Sequence, residues 1–542
     1  MGKSAVFVVF LCIINQVQVC FSSSVEQNSK VVQIHSGLVK GYKNSEWDIF
    51  AFYGIPYATA PSGREKFKGP LPAPHWSDTL EAIDKTIVCA QHAHPTGHDN
   101  CLTSNVFTPN TNDTNLPVLV YIHGGAFYNK SGNHLLPYSL VKDGNLVTVT
   151  FNYRLGMLGF LCLGTEGIPG NAGLKDMVAL LNWVNQNIAN FGGNPDDVTI
   201  AGCSAGSVSA ELLALSETTK GLFNKVILQS GNSIESWSVQ QNPLEIAQTH
   251  AMKMNFDISD DLHALEEFYT NRSTEELVKH THSTIKDKDL YFVPCLERHT
   301  GTEAVLTTAP LDTLKSETFK KYPTLIGFAN MEGLYRLQSY DDWKDDIQSN
   351  LAYYFPVDLK FNTSDEQKEA AKSVKELYFD HDDFKQGFID YFSDAMFVYP
   401  LIRAINYQVE AGNEDVYYFE FSFVEDSKVP TDEPYNVHGA GHCTQSEIVF
   451  ERPEPVAHSS DYFEMKKKMT ALWINFIKTG KPVPNASSVF PDGWPAASPT
   501  GSYMEMNLRP RLRKNWRSEY VSLWNDIYSR YYITPIPAGT GV

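Results

Sequence analysis

Ser204 is the residue whose surroundings speak most directly of chemistry. It sits in Gly202-Cys203-Ser204-Ala205-Gly206, a G-x-S-x-G pentapeptide, after the β-branched run Val198–Ala201 and before a helical pattern (VSAELLALS). Strand, pentapeptide and helix together are the context of a nucleophile elbow. The turn is so tight that its flanking positions take glycine, because a Cβ there would clash. The serine is held in a strained conformation with its Oγ exposed. The helix that starts here aims its first amides at the site, where they favour developing negative charge.

A second glycine loop, His123-Gly124-Gly125-Ala126-Phe127, follows the apolar run Val118–Ile122. Such a loop supplies backbone N–H groups to an oxyanion hole, and Gly125, Ala126 and Ala205 are the expected donors. Losing one such donor costs about 3 kcal/mol of transition-state stabilisation. His123 reads as a structural hydrogen-bonding residue rather than the base.

A serine nucleophile needs a base, and the base needs a carboxylate to orient it. With the chain order Ser, acid, His, only residues after Ser204 qualify. Glu332, in Gly327-Phe328-Ala329-Asn330-Met331-Glu332-Gly333 after the run Thr324–Ile326, is the best-placed acid. His438 and His442 both lie in Asn436-Val437-His438-Gly439-Ala440-Gly441-His442-Cys443, and chemistry alone does not choose between them. His280, His282, His299 and His458 stand in weaker contexts.

The elements that must position these groups are short. Val118–Ile122, Leu146–Phe151, Val198–Ala201, Val226–Leu228, Thr324–Ile326 and Val416–Phe421 read as buried strands, and Leu174–Ile188 (LKDMVALLNWVNQNI) reads as a helix. Strands alternating with helices predict an α/β fold, a mostly parallel sheet covered on both faces. Open sheets of this kind place chemistry at the carboxyl ends of their strands. No long linker, repeat or low-complexity run divides the chain, so one domain over residues 23–542 is expected.

The 542 residues carry 42% hydrophobic and 20% charged side chains, which excludes disorder as the main state. A net charge of −19 disfavours general binding to nucleic acid or anionic membrane. Met1–Lys3, the apolar run Ala5–Ile14 and the small residues Ser22–Ser24 read as a secretory signal over about residues 1–22. No later run reaches the roughly 18 apolar residues of a membrane span, so the expected destination is extracellular. Cys12 and Cys20 leave with the signal. The remaining six cysteines are sparse for the length, so the core rather than disulfides is expected to hold the fold. No C-x-x-C pair points to a metal or redox site. Sequons at Asn112, Asn129, Asn271, Asn362 and Asn485 are glycosylation candidates, Asn129 lying close to the second glycine loop.

The whole mature chain resembles the type-B carboxylesterase/cholinesterase family. The resemblance rests on Phe52-Tyr53-Gly54-Ile55-Pro56-Tyr57-Ala58, Asn152-Tyr153-Arg154-Leu155-Gly156 with Gly159-Phe160-Leu161, Gly170 to Asp176, Phe191-Gly192-Gly193-Asn194-Pro195, Thr479-Gly480-Lys481-Pro482 and Trp494-Pro495. It implies an α/β-hydrolase fold and a Ser-His-Glu triad. The family's G-x-x-x-x-E-G selects Glu332, and its histidine, eight residues before a phenylalanine, selects His442 before Phe450. The resemblance also implies a supporting serine at Ser230 and a Cys89–Cys101 disulfide.

Departures from the pattern are informative. The Cys89–Cys101 segment lacks the tryptophan with which cholinesterases bind choline, which argues against acetylcholinesterase. The acidic pair before the second cysteine becomes Asp99 and Asn100, and its arginine partner becomes Lys66, which cannot make the same bidentate pair. Gln445 and Ser446 replace a carboxylate and a leucine, and Cys203 stands where juvenile hormone esterases usually have glutamine. The pattern is most similar to secreted insect carboxylesterases. The expected function is cofactor-free hydrolysis of small, uncharged esters, apolar on at least one side, in a gorge lined by some of the 31 Phe, 27 Tyr and 9 Trp. The alternative is a catalytically weak binding or adhesion protein on the same fold. A lipase or peptidase on a related fold is the third reading.

Overall fold

The computed structural model describes residues 28–98, 100–257, 261–283, 289–301, 303–380, 383–425, 437–454, 456–498 and 501–539. The segment read as a secretory signal, with Cys12 and Cys20, and Asp99 lie outside the described residues. The strands are β1 (Ser29–Ile34), β2 (Gly37–Asn44), β3 (Ile49–Pro56), β4 (Leu80–Glu81), β5 (Thr103–Pro109), β6 (Leu116–Ile122), β7 (Val147–Phe151), β8 (Gly193–Cys203), β9 (Lys225–Gln229), β10 (Thr324–Ala329), β11 (Val416–Phe421), β12 (Ser502–Met506) and β13 (Arg511–Lys514). They form one 13-stranded sheet in the order β1-β2-β3-β5-β7-β6-β8-β9-β10-β11-β12-β13, with β4 beside β2. From β7 through β12 every neighbouring pair is parallel, while the two flanks, β1-β2-β3-β5-β7 and β12-β13, are antiparallel.

The parallel strands are buried on both faces, and their side chains alternate between two cores. Val118, Val120, Ile200, Val226, Leu228, Ile326 and Val416 enter one. Leu119, Tyr121, Ala201, Ile227, Leu325, Tyr417 and Phe419 enter the other. That double burial is why each of these strands reads as a continuous apolar run rather than as an alternating one. On the first face lies the helix Ala172–Asn187, which buries Leu174, Met177, Leu180, Leu181 and Val184 at helical spacing. On the second lies Ser460–Thr479, with Met465, Met469, Leu472, Trp473 and Phe476. A third, aromatic core joins Ser364–Tyr378, Phe384–Ser393 and Ser518–Tyr531 around Tyr378, Tyr391, Trp524 and Tyr528.

The chain order sets the site. From β6 the chain moves to β7 on one side and then to β8 on the other. The loops after β6 and β8 therefore diverge from a switch point, where open sheets bind ligands. Ile122 pairs with Gly202, Cys203 with Gln229 and Gln229 with Gly327, so the glycine loop, Ser204, Ser230 and the Glu332 loop leave the same edge.

Candidate active site

Ser204 follows β8 and precedes the helix Ala205–Leu215, with φ 59° and ψ −129°. This is a left-handed φ that a non-glycine residue adopts only where its surroundings compel it. A Cβ on Gly202 would collide with the backbone of Gly206, and one on Gly206 would collide with the Ile122 carbonyl. The Ser204 N–H donates to the Gln229 carbonyl at 2.8 Å, and Ser207 Oγ donates to the Gly231 carbonyl at 2.6 Å. The elbow is thus fastened to β9 and to the turn behind it.

Glu332 begins a 3-10 turn after β10 and is fully buried. Its Oε1 accepts from Ser230 Oγ at 2.6 Å and from the Ala329 N–H at 2.7 Å. Its Oε2 accepts from His442 Nδ1 at 2.6 Å. Three donors thus satisfy this buried carboxylate, two of them outside the histidine. The His442 ring lies 4.6 Å from Phe397 and 5.8 Å from Tyr335, centroid to centroid. Phe397 is carried by a π-helical turn, Asp394–Val398, inserted between two α-helices. His438 shares the loop with His442 and borders a different cavity, with Phe423 and Asn507.

On the far side of Ser204, the glycine loop turns through Gly125 (φ 101°), Ala126 (φ 52°) and Phe127 (φ 63°). A Cβ on Gly124 would lie 3.1 Å from Ser204 Cβ, so the loop packs directly on the serine. The His123 ring is buried, with Nδ1 donating to the Gly124 carbonyl at 2.8 Å, and burial pushes its pKa down to about 3. It is a neutral, structural histidine. Tyr153 stacks on it and donates its hydroxyl to the His123 carbonyl at 2.8 Å. The neighbouring Arg154 makes a buried two-point ion pair with Asp176, at 2.8 and 2.6 Å. The Asn152–Gly156 and Gly170–Asp176 motifs thus meet beneath the loop.

The departures also find their places. Gln445 is fully buried and donates to Ser230 Oγ at 2.6 Å, and Ser446 Oγ lies 3.2 Å from the Tyr121 hydroxyl. Lys66 donates to the carbonyls of Thr270 (2.6 Å) and Gly63 (3.2 Å), and burial lowers its pKa to about 8. Asn100 Oδ1 accepts from the Ala60 N–H at 3.3 Å.

Cysteine pairing corrects one expectation. All six described cysteines are bonded: Cys89–Cys101, Cys162–Cys295 and Cys203–Cys443. Cross-links therefore join the core in holding this fold. The third pair was hidden because its members are 240 residues apart and meet only once β8 and the histidine loop converge. Their Cα atoms are 6.0 Å apart, which brings the backbones beside Ser204 and His442 together.

An apolar cavity of about 180 Å³ begins two residues beyond Ala126, lined in part by Tyr128, Leu155, Met157, Leu158, Leu277 and Val278. Asn129 stands exposed on its rim, and Asn112, Asn271, Asn362 and Asn485 are exposed as well. Among the described residues, no helix is long and apolar enough to cross a membrane, and no group of three or more His, Cys, Asp or Glu side chains could hold a metal ion.

Comparison with known proteins gives a consistent result. The profile of the carboxylesterase family matches residues 28–524. A juvenile hormone esterase of Heliothis virescens is 32% identical, over 93% of this chain and 94% of its own. Esterase FE4 of Myzus persicae is 29% identical, over 87% and 88%. The crystal structure of a juvenile hormone esterase from Manduca sexta, with OTFP covalently attached, superposes with a TM-score of 0.82 at 28% identity, over 92% of this chain and all of that one.

Proposed function

The chain belongs to the carboxylesterase family and is a carboxylic-ester hydrolase of α/β-hydrolase fold, and from that premise we propose that it is a secreted serine esterase working through Ser204, His442 and Glu332 on small uncharged esters. The observation that carries the reading is the chain of short hydrogen bonds from Gln445 through Ser230 and Glu332 to His442 Nδ1. It fixes the tautomer and leaves Nε2 for the Ser204 hydroxyl.

In this mechanism His442 takes the Ser204 proton as Oγ attacks the ester carbonyl. The N–H groups of Gly125, Ala126 and Ala205 bind the oxyanion. His442 returns its proton to the leaving alcohol, and water activated by the same imidazole then releases the acid. Glu332 stabilises the imidazolium without itself taking the proton. The apolar cavity beside the loop supports an acyl or alcohol group with a hydrocarbon face. The leader and the exposed sequons support passage through the secretory pathway.

Stopped-flow hydrolysis of a short-chain p-nitrophenyl ester tests the mechanism. A stoichiometric burst is expected, abolished in Ser204→Ala and His442→Ala, together with organophosphate labelling of Ser204. A folded wild type that neither turns over nor labels would move the reading to a binding protein on this fold.

A further inference from the structure

We propose that the Cys203–Cys443 disulfide is a positioning element of the hydrolytic reaction, setting the separation of nucleophile and base. The proposal rests on the roles given above to Ser204 and His442. Cys203 is the residue before Ser204 and Cys443 the residue after His442. The covalent path between the two catalytic positions therefore runs through this one cystine, with no other residue between.

The histidine loop is attached on three sides, by different means. Toward the acid it is held by hydrogen bonds. The Ala440 N–H donates to Asn330 Oδ1 at 2.9 Å, the Met331 N–H donates to the Ala440 carbonyl at 3.0 Å, and His442 Nδ1 donates to Glu332 at 2.6 Å. Toward the floor, the Cys443 N–H donates to Ser230 Oγ at 3.3 Å. Toward the elbow, the attachment is the cystine. Cys443 itself has φ 69°, and Ser204, next to Cys203, has φ 59°, conformations that persist only where the surroundings impose them. The Cys203 carbonyl also abuts Gly124, 2.5 Å from where a Cβ would stand, so the cystine borders the oxyanion loop too.

Both half-cystines are buried. The bond borders a narrow cleft of about 10 Å³ that also touches Tyr121, His123, Lys130 and His134. This cleft shares no residue with the apolar cavity proposed for substrate. Cutting the cystine removes the covalent restraint between the Ser204 and His442 backbones and leaves the hydrogen bonds through Ser230, Gln445 and Glu332 to hold the histidine loop alone. A misplacement of about 1 Å between reacting groups costs about 100-fold in rate.

The test uses the full-length protein, with Cys203→Ala/Cys443→Ala beside the control Cys162→Ala/Cys295→Ala. The first variant is expected to lose about 10- to 100-fold in kcat with KM changed less than about twofold. The rate of organophosphate labelling should fall in proportion. The control is expected to keep its kcat although its Tm falls as well. A Cys203→Ala/Cys443→Ala protein with lowered Tm and wild-type kcat overturns the proposal.

If that variant does not fold, the native protein is reduced stepwise with dithiothreitol. One thiolate attacks a cystine sulfur to form a mixed disulfide. The second dithiothreitol thiol closes the ring, leaving two protein thiols and oxidised, cyclic reductant. Activity is then expected to fall as Cys203 and Cys443 become alkylatable and to return on reoxidation. Full activity with both thiols free overturns the proposal. An inactive wild type overturns the catalytic reading, and this inference with it.

Discussion

Gln445 shows what one atom does in a buried site. Its amide donates to Ser230 Oγ, which leaves the serine's single proton for Glu332. In Gln445→Glu, an acceptor replaces the donor, and two buried carboxylates flank one hydroxyl. Like charges raise each other's pKa, and so does burial. The new group then has a folded-state pKa above its unfolded value. Its stability is present at low pH and lost as pH rises through the folded pKa. The variant is therefore expected to be less stable than wild type by about 2 kcal/mol at pH 7 and to close that gap below about pH 4.5. Denaturant unfolding across pH checks this, and a gap independent of pH would contradict it. Ser230→Ala removes one of the two bonds on Glu332 Oε1 and leaves the Ala329 N–H in place. Its kcat is expected to fall about tenfold, with KM nearly unchanged.

At the scale of elements, the elbow and the histidine's backing make the strongest demands. A methyl at residue 206 meets the Ile122 carbonyl, which belongs to the strand leading into the glycine loop. Gly206→Ala is thus expected to lower kcat more than 100-fold by displacing the nucleophile and oxyanion loops together. Steady-state kinetics and a circular-dichroism spectrum of native shape would establish it, and retained activity would refute it. The elements with chemistry at their ends were the legible ones. Six strand runs named from β-branched clusters fall on β6 to β11, five with ends within three residues and the sixth missing the polar start of β8, residues 193–197, because two-sided burial writes an unbroken apolar run. The antiparallel flanks β1–β3, β5, β12 and β13 did not announce themselves. Apart from β3 (IFAFYGIP), an apolar run that no strand reading picked out, their short stretches mix apolar with polar and charged residues, as in SKVVQI and RLRK, and cross-strand pairing rather than composition makes them strands. Glu332 was legible from its place after a strand. His442 over His438 was chosen only through the family resemblance, by the family's spacing to a phenylalanine such as Phe450, since nothing in the local residues says which imidazole turns to Glu332. Tyr153, Arg154 and Asp176 stood in visible motifs, but their work of bracing the oxyanion loop emerges only when the two motifs are packed together.

The whole molecule responds to acid through histidines that burial keeps neutral. His123 is pushed down to about 3, and His134 and His250 to about 4. Each binds a proton near pH 6.5 once unfolded. With the folded pKa depressed, the unfolded chain takes up the extra protons, so each contribution to stability is present above 6.5 and is lost as pH falls toward 4. Buried Asp394 and Asp358, raised to about 7 and about 6, act in the opposite sense over part of this range. A difference measurement isolates one group. His250 lies against Tyr291 and Phe292. His250→Phe is expected to gain stability on wild type by up to about 3 kcal/mol between pH 7 and pH 4. A constant difference would show that the ring is not kept neutral. For the protein expressed in a glycosylating eukaryotic host, treatment with a peptide N-glycosidase should lower the mass, and Asn→Gln at each exposed sequon assigns the loss; no mass change would remove the glycoprotein reading.

The pairing of Cys203 with Cys443 also bears on how the molecule is made. Six cysteines admit 15 pairings. As the chain emerges from its amino end, Cys162 and Cys203 are free together, 41 residues apart, while the correct partner of each is still to come, 133 and 240 residues further on. The nearest encounter is the wrong one. A Cys162–Cys203 bond formed at that stage would have to be undone by thiol exchange before the native pairs could close. Catalytic competence also arrives late, when residue 443 has been delivered and joined to the turn made 240 residues earlier.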